Sequence, residues 1–222
     1  MSLLDFVEIS FSDPIHNSVI WLHGLGADGY DFAPVVRELA LPHTRFILPH
    51  APVLPVTVNQ GYEMRAWYDI YSFEPGSRQD ADGIHATQQQ IEALIAHEIE
   101  RGISSQHIML VGFSQGGAIA LHTALRHQAP LAGALALSTY LPLADSLPTG
   151  RHAANQATPI FMAHGTQDNI IPLSRHHASA QVLQGLGYAL ELHEYPMPHS
   201  VCIEEIDDIR RFMQQHLGLS LT

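Results

Sequence analysis

Short apolar runs alternate along this chain with longer segments in which hydrophobic positions recur at helical spacing. The runs are "SVIWLH" at 18–23, "RFILPH" at 45–50, "HIMLVGF" at 107–113, "LAGALALS" at 131–138, "PIFMAHG" at 159–165 and "YALELHEY" at 188–195. Their length and composition predict strands. The helical segments fall at about 32–40, 82–101, 115–127, 173–186 and 203–216. In the second of these, Ile84, Gln88, Ile91, Leu94, Ile95 and Ile99 lay a mostly apolar stripe along one face. The alternation predicts an α/β fold with a mainly parallel, twisted sheet and helices on both faces, because parallel strands need long crossovers and the crossovers cover the sheet.

Residues 49–80 break the alternation. Pro49, Pro52, Pro55, Gly61, Pro75 and Gly76 punctuate the stretch, and Tyr62, Trp67, Tyr68, Tyr71 and Phe73 make it aromatic. It is too long for an ordinary connection, which predicts a lid-like or binding excursion, with plain cover for a sheet edge as the alternative. No repeat, low-complexity segment or linker divides the rest, so 1–222 reads as a single domain.

Composition narrows the function. Hydrophobic residues are 46% and charged residues 14% of the chain, as in a globular protein, and no apolar stretch approaches the ~18 residues that would span a bilayer. The N-terminus carries no basic segment ahead of an apolar one, and the single cysteine, Cys202, has no internal partner, so a cytoplasmic location is expected. Cys202 itself fits a small buried hydrophobe better than a catalytic thiol. A formal charge of −12 repels nucleic acid and anionic lipid surfaces, so nucleic acid is not an expected partner. All 10 basic residues are arginine. Without lysine there is no Schiff base, no phosphate-loop lysine and no serine–lysine pair. The 16 histidines are scattered, with no H-E-x-x-H, and His176 and His177 are adjacent on a helix and point apart, so no metal or other cofactor is expected.

The chemistry concentrates in "HIMLVGFSQGGAIALH", residues 107–122. Gly112-Phe113-Ser114-Gln115-Gly116 matches G-x-S-x-G between a predicted strand and a predicted helix, the context in which a sharp turn pushes a serine out at the carboxyl edge of a sheet. Tight helix–sheet packing is the plain alternative reading of the glycines. A nucleophilic serine needs a base, a group to orient it and donors for an oxyanion. Asp168, in "HGTQDNIIP", follows a predicted strand, and His199, in "YPMPHSVCIEEI", lies between the last strand and the last helix. Their order after Ser114 is that of an α/β-hydrolase. Asp145, in a proline-flanked loop, and Glu191 and Glu194, within a strand, are weaker candidates for the acid. Gln115 contributes a first-turn N–H, and "LHGLGADGYDF" at 22–32 could contribute a second from Leu25, between two glycines. His23 in that loop fits an ordering role better than proton transfer.

Taken together, "LHGLGADGYDF", "LPHAPVLPVTVNQGYEMRAWYDI", "GFSQGGAIAL", "HGTQDNIIP" and "YPMPHSV" resemble the phospholipase/carboxylesterase branch of the α/β-hydrolases, which includes bacterial carboxylesterases and acyl-protein thioesterases. The resemblance implies an α/β-hydrolase fold without a large cap domain, Ser114 as nucleophile with Asp168 and His199 as its partners, and the Leu25 and Gln115 amides as oxyanion donors. It also implies that Arg65, Trp67 and Tyr68 lie beside the acyl site. The expected activity is broad carboxylic ester hydrolysis on small-molecule esters or thioesters. An acyl-protein thioesterase, a lysophospholipase and a non-catalytic ligand-binding homologue are the alternatives, and the exposed aromatics of 49–80 could also support a homodimer. Two departures from the family pattern stand out, Arg65 where proline is frequent and Thr139 where glycine is common. Arg65 could alter which acyl or alcohol groups are favoured, and neither is expected to touch the serine, acid or histidine.

Overall fold

A computed structural model describes residues 3–72, 74 and 76–219; Phe73 and Pro75 of the excursion lie outside the described residues. Strands β1 (Phe6–Phe11), β2 (Asn17–Leu22), β3 (Thr44–Pro49), β6 (Ile108–Phe113), β7 (Gly133–Leu137), β8 (Ile160–Gly165) and β9 (Leu190–Tyr195) form one sheet in the order β1-β3-β2-β6-β7-β8-β9. Strands β4 (Val53–Val56) and β5 (Tyr62–Arg65) form a separate antiparallel hairpin inside the excursion. All pairings in the large sheet are parallel except β1 with β3, where Phe6 faces Pro49 and Phe11 faces Thr44. The six predicted strands are all present. β1 was not anticipated, because its residues alternate between half-buried and exposed over only six positions.

Helices α1 (Ala33–Leu39), α2 (Ala81–Glu100), α3 (Gln115–Arg126), α5 (Leu173–Gly185) and α6 (Ile203–His216) match the predicted segments, and a single turn, α4 (Leu147–Gly150), precedes β8. Period-two alternation sorts the strand residues between two faces. Val19 and Trp21 pack with Met109 and Val111 against α1 and α6, including Val36, Ile209 and Phe212. Ile20 and Leu22 pack with Ile108 and Leu110 against α2 and α3, and Met162 packs on the same side with Leu183 of α5. Because both faces are covered, β2 is buried at all six positions. Full burial of each such aliphatic side chain contributes about 1.5–3 kcal/mol. The stripe on α2 is buried at Ile84, Ile91, Leu94 and Ile95, while Ile99, one residue before the helix ends, emerges at 43% exposure. Cys202 is half-buried against the α1/α6 side.

From β2 the chain moves to β3 on one side, and then returns to place β6 on the other side of β2. The carboxyl ends of β2 and β6 therefore flank the point where strand order reverses, and a crevice opens there in sheets of this kind. The segments leaving those two strands are "HGLG" and "SQGG".

Candidate active site

Ser114 occupies the turn between β6 and α3 with φ 54° and ψ −121°, a left-handed conformation that a residue with a Cβ rarely adopts. Close packing imposes it. A Cβ at Gly112 would overlap the carbonyl of Gly116, and a Cβ at Gly116 would overlap the carbonyls of Leu22 and His23. The turn is then pinned by Ser114 N–H donating to Leu137 O at 2.9 Å and by the Thr139 hydroxyl donating to Ser114 O at 2.6 Å. Thr139 thus touches the serine directly, contrary to the expectation that it stays clear of the three residues. Its hydroxyl can do so because β7 pairs alongside β6 and ends at Leu137, level with Phe113.

Asp168 and His199, 31 positions apart, are brought together by two zipped loops. Thr166 N–H donates to Tyr195 O at 2.8 Å, and Gln167 N–H donates to Met197 O at 3.0 Å. His199 Nδ1–H donates to Asp168 Oδ2 at 2.6 Å, since the ionised carboxylate can only accept. That leaves Nε2 as an acceptor, 2.9 Å from Ser114 Oγ. The other carboxylate oxygen, Oδ1, accepts the Ile170 and Ile171 N–H groups, each at 2.8 Å. The Phe113 ring packs on the His199 imidazole with centroids 4.8 Å apart. Behind the acid, His164 Nε2–H donates to Ile171 O at 2.8 Å and lies 3.3 Å from Asp168 Oδ2. Burial lowers the pKa of His164 despite that carboxylate, so it presents a neutral donor there.

The Leu25 and Gln115 N–H groups both border the cavity beside Ser114 and donate to no acceptor among the described residues. Gly26 N–H donates to Arg65 O at 2.8 Å, which fixes the turn that carries Leu25. His23 orders the same loop. Its Nδ1–H donates to Gly24 O at 2.7 Å, and its Nε2 accepts from Ala51 N–H at 3.1 Å. Burial lowers its pKa to about 4, against the weaker pull of the Gly24 carbonyl.

The cavity has a volume of about 330 Å³. Tyr68 lines it, and the Tyr68 hydroxyl shares a 2.9 Å hydrogen bond with Tyr140 OH. Burial and that neighbour raise the phenol's pKa well above its usual value, so it stays protonated. Trp67 and Arg65 are placed differently from expectation. Trp67 is 1% exposed and does not reach the cavity; its indole N–H donates to His23 O at 2.8 Å, so it supports the "HGLG" loop from behind. The Arg65 guanidinium donates to Ala51 O at 2.8 Å and does not line the cavity beside Ser114. Both side chains find their polar partners in the loops around β2 and β3, which draws them out of the cavity wall.

The side chain of Gln115 was not anticipated as a brace. Its Oε1 accepts from Trp67 N–H at 2.9 Å, and its Nε2 donates to Tyr68 O at 2.7 Å. Only the folded excursion puts that backbone within reach, so the sequence carried no signal for it. Gln115→Ala keeps the backbone N–H beside Ser114 but releases this segment, and kcat/KM for a p-nitrophenyl ester should fall about tenfold. An unchanged kcat/KM in steady-state assays would mean that the brace has no part in turnover.

Comparison with known proteins adds a second line of observation. Residues 5–217 match the profile of a family described as phospholipase/carboxylesterase. An acyl-protein thioesterase 1 from Neurospora crassa is 39% identical over 214 residues, covering 90% of this chain and 86% of that protein. An acyl-protein thioesterase 1 from Gibberella zeae is 39% identical over 215 residues, covering 90% of each. The crystal structure of Arabidopsis thaliana SOBER1 superposes with a TM-score of 0.87 at 29% identity, covering 91% of this chain and 99% of that one.

Proposed function

The chain belongs to the phospholipase/carboxylesterase family of α/β-hydrolases, and from that premise we propose that it hydrolyses carboxylic esters through an acyl-enzyme formed on Ser114. The observation that carries the assignment is the continuous hydrogen-bonded series from Ser114 Oγ through His199 to Asp168. His199 Nε2 takes the hydroxyl proton as Oγ attacks the carbonyl carbon, and Asp168 holds the imidazole in the tautomer that leaves Nε2 free. The Leu25 and Gln115 amides receive the oxyanion, each donor contributing about 2.7–4 kcal/mol to the transition state. The leaving alcohol collects the proton from His199. Water then repeats the attack on the acyl-enzyme and releases the acid. Tyr68 is the one of the three aromatic-segment candidates that contacts substrate in this reading, with Trp67 and Arg65 supporting the loop that carries Leu25.

A thioester is the second substrate reading, and its support is the naming of relatives 34–39% identical to this chain as acyl-protein thioesterases. The same acyl transfer applies, with a thiol leaving group. We read the chain as one hydrolase domain working in the cytoplasm on small-molecule esters or thioesters; no described helix is long and apolar enough to cross a membrane. Exposed Val53 and Tyr62 on the β4–β5 hairpin support a homodimer through that hairpin, which sedimentation of the purified chain would test.

The decisive test is the intact mass after brief exposure to a fluorophosphonate, with Ser114→Ala alongside. A single adduct that disappears in the variant is expected. No adduct on folded protein would instead favour a ligand-binding homologue that has kept the pocket without an activated serine.

A further inference from the structure

The cavity beside Ser114 is lined by a positive charge that has no ion-pair or hydrogen-bond partner among the described residues. Arg175 lies in the first turn of α5 and lines the cavity with Ile170, Ile171 and Tyr140. Its guanidinium carbon sits 3.8 Å from the centre of the Tyr140 ring. The backbone of Arg175 is engaged, N–H to Pro172 O at 2.8 Å and O from the Ser179 hydroxyl at 2.7 Å. Among the described residues, no carboxylate, carbonyl or hydroxyl bonds the guanidinium.

This placement runs against helix electrostatics. The first turn of a helix carries the positive end of the backbone dipole and favours acids, yet α5 has no acid there and carries a cation. A chain with 22 acidic and 10 basic residues has no shortage of partners, so the lack of one here is informative. Four acids border the same cavity, Asp31, Asp69, Glu74 and Asp80; neither Asp31 nor Glu74 forms an ion pair with Arg175, and the other two are held by other donors. Asp69 accepts from the Thr57 N–H and hydroxyl, and Asp80 accepts from the Gly83 and Asp69 N–H groups.

Arg175 is also tied to the reacting groups from two sides. Tyr140, beneath the guanidinium, follows Thr139, whose hydroxyl holds the Ser114 carbonyl. On the helix side, His176 packs on His164 with centroids 5.0 Å apart, and His164 lies 3.3 Å from Asp168. A second guanidinium, Arg78, borders the same cavity and stacks on Tyr71 at 5.0 Å.

The geometry points to Arg175 as a specificity-determining residue that receives an anionic group, a carboxylate or a phosphate, carried by the ester substrate; the inference rests on the hydrolase reading of Ser114. A planar guanidinium partly removed from water forms strong, directional hydrogen bonds to such groups, and a neutral substrate leaves those bonds unmade.

Two matched pairs test it. One places the anion on the acyl group, mono-p-nitrophenyl suberate against p-nitrophenyl octanoate. The other places it on the alcohol, 1-octanoylglycerol 3-phosphate against 1-octanoylglycerol. Arg175→Gln should lower the charged-to-neutral ratio of kcat/KM about tenfold or more in one pair, and Arg175→Lys should restore most of it. The affected pair identifies which side of the ester carries the anion. Ratios unchanged in both pairs overturn the assignment. Calorimetric binding of the two charged ligands to Ser114→Ala, with and without Arg175→Gln, gives a readout independent of turnover. If binding depends on Arg175 while the wild type cleaves no member of either pair, the hydrolase reading has failed and the anion site stands. If Arg175→Gln leaves binding unchanged, the anion site has failed.

Discussion

Ser114→Ala is expected to reduce kcat for a short-chain p-nitrophenyl ester by about 10⁴–10⁶-fold while leaving the fold intact. Among the described residues the Ser114 side chain makes one hydrogen bond, to His199 Nε2, so its loss removes the proposed nucleophile without unpinning the turn. The contacts that hold the turn belong to the backbone, through Leu137 O and the Thr139 hydroxyl. Alanine carries the same Cβ as serine, so the positive φ adds no new strain. Adding His199→Ala to the variant should cost little more, because serine and base act as a unit and removing either disables both. Circular dichroism and thermal melting would check the fold, and progress curves at high enzyme concentration would measure residual turnover. Residual kcat above about one per cent of wild type would place the nucleophile elsewhere.

Stability should peak at mildly acidic to neutral pH, because buried histidines and one buried glutamate act in opposite directions. Burial lowers the pKa of His23 and His176 to about 4 and of His122 to about 3, against an ordinary 6.5. Between those values the unfolded chain binds protons that the folded protein refuses, so stability is lost as pH falls below 6.5. Each histidine contributes about 1.4 kcal/mol per pH unit in that window. Glu205 has the opposite sign. It is fully buried in the first turn of α6, neither carboxylate oxygen makes an ordinary hydrogen bond, and burial raises its pKa from 4.5 to about 8, against a weaker pull from the Cys202 amide.

The folded protein therefore holds a proton on Glu205 that the unfolded chain releases above 4.5, and stability is lost as pH rises toward 8. From about pH 4.5 to 6.5 the three histidines outweigh the one glutamate, and above that range the glutamate acts alone, so the maximum falls near pH 6.5. Glu205→Gln should flatten the alkaline arm and raise stability by about 2–4 kcal/mol at about pH 8, with little effect at about pH 5. Urea unfolding across this range would measure both arms. A wild-type curve that keeps rising from about pH 6.5 to 8 would mean that Glu205 ionises in the folded state without cost.

Both expected results depend on features that differ in how far the sequence discloses them. The β6–Ser114–α3 turn is local. An apolar run, glycines at two fixed offsets and a resumed helical period are contiguous, and each glycine is required because a Cβ there meets backbone already committed to β2 or α3. The order of Asp168 and His199 after later strands was likewise readable, because a parallel sheet delivers every strand's carboxyl end to the same edge. The excursion was recognisable as irregular, since prolines and aromatics interrupt its periodicity, but its hairpin and the direction of Trp67 were not.

Sequence alone determined the α/β alternation, the serine at the hinge and the order of its partners, because periodicity and turn chemistry act over a few neighbouring residues. Tertiary structure decided what depends on distance in space rather than along the chain. It set the Gln115 brace on residues 67 and 68, the Thr139 hydroxyl on the Ser114 carbonyl, the burial of Trp67 and Glu205, and the approach of Arg175 to Tyr140. Hydrogen bonds and burial at these positions join segments tens of residues apart, and only packing of the finished sheet and helices brings them within a few ångströms.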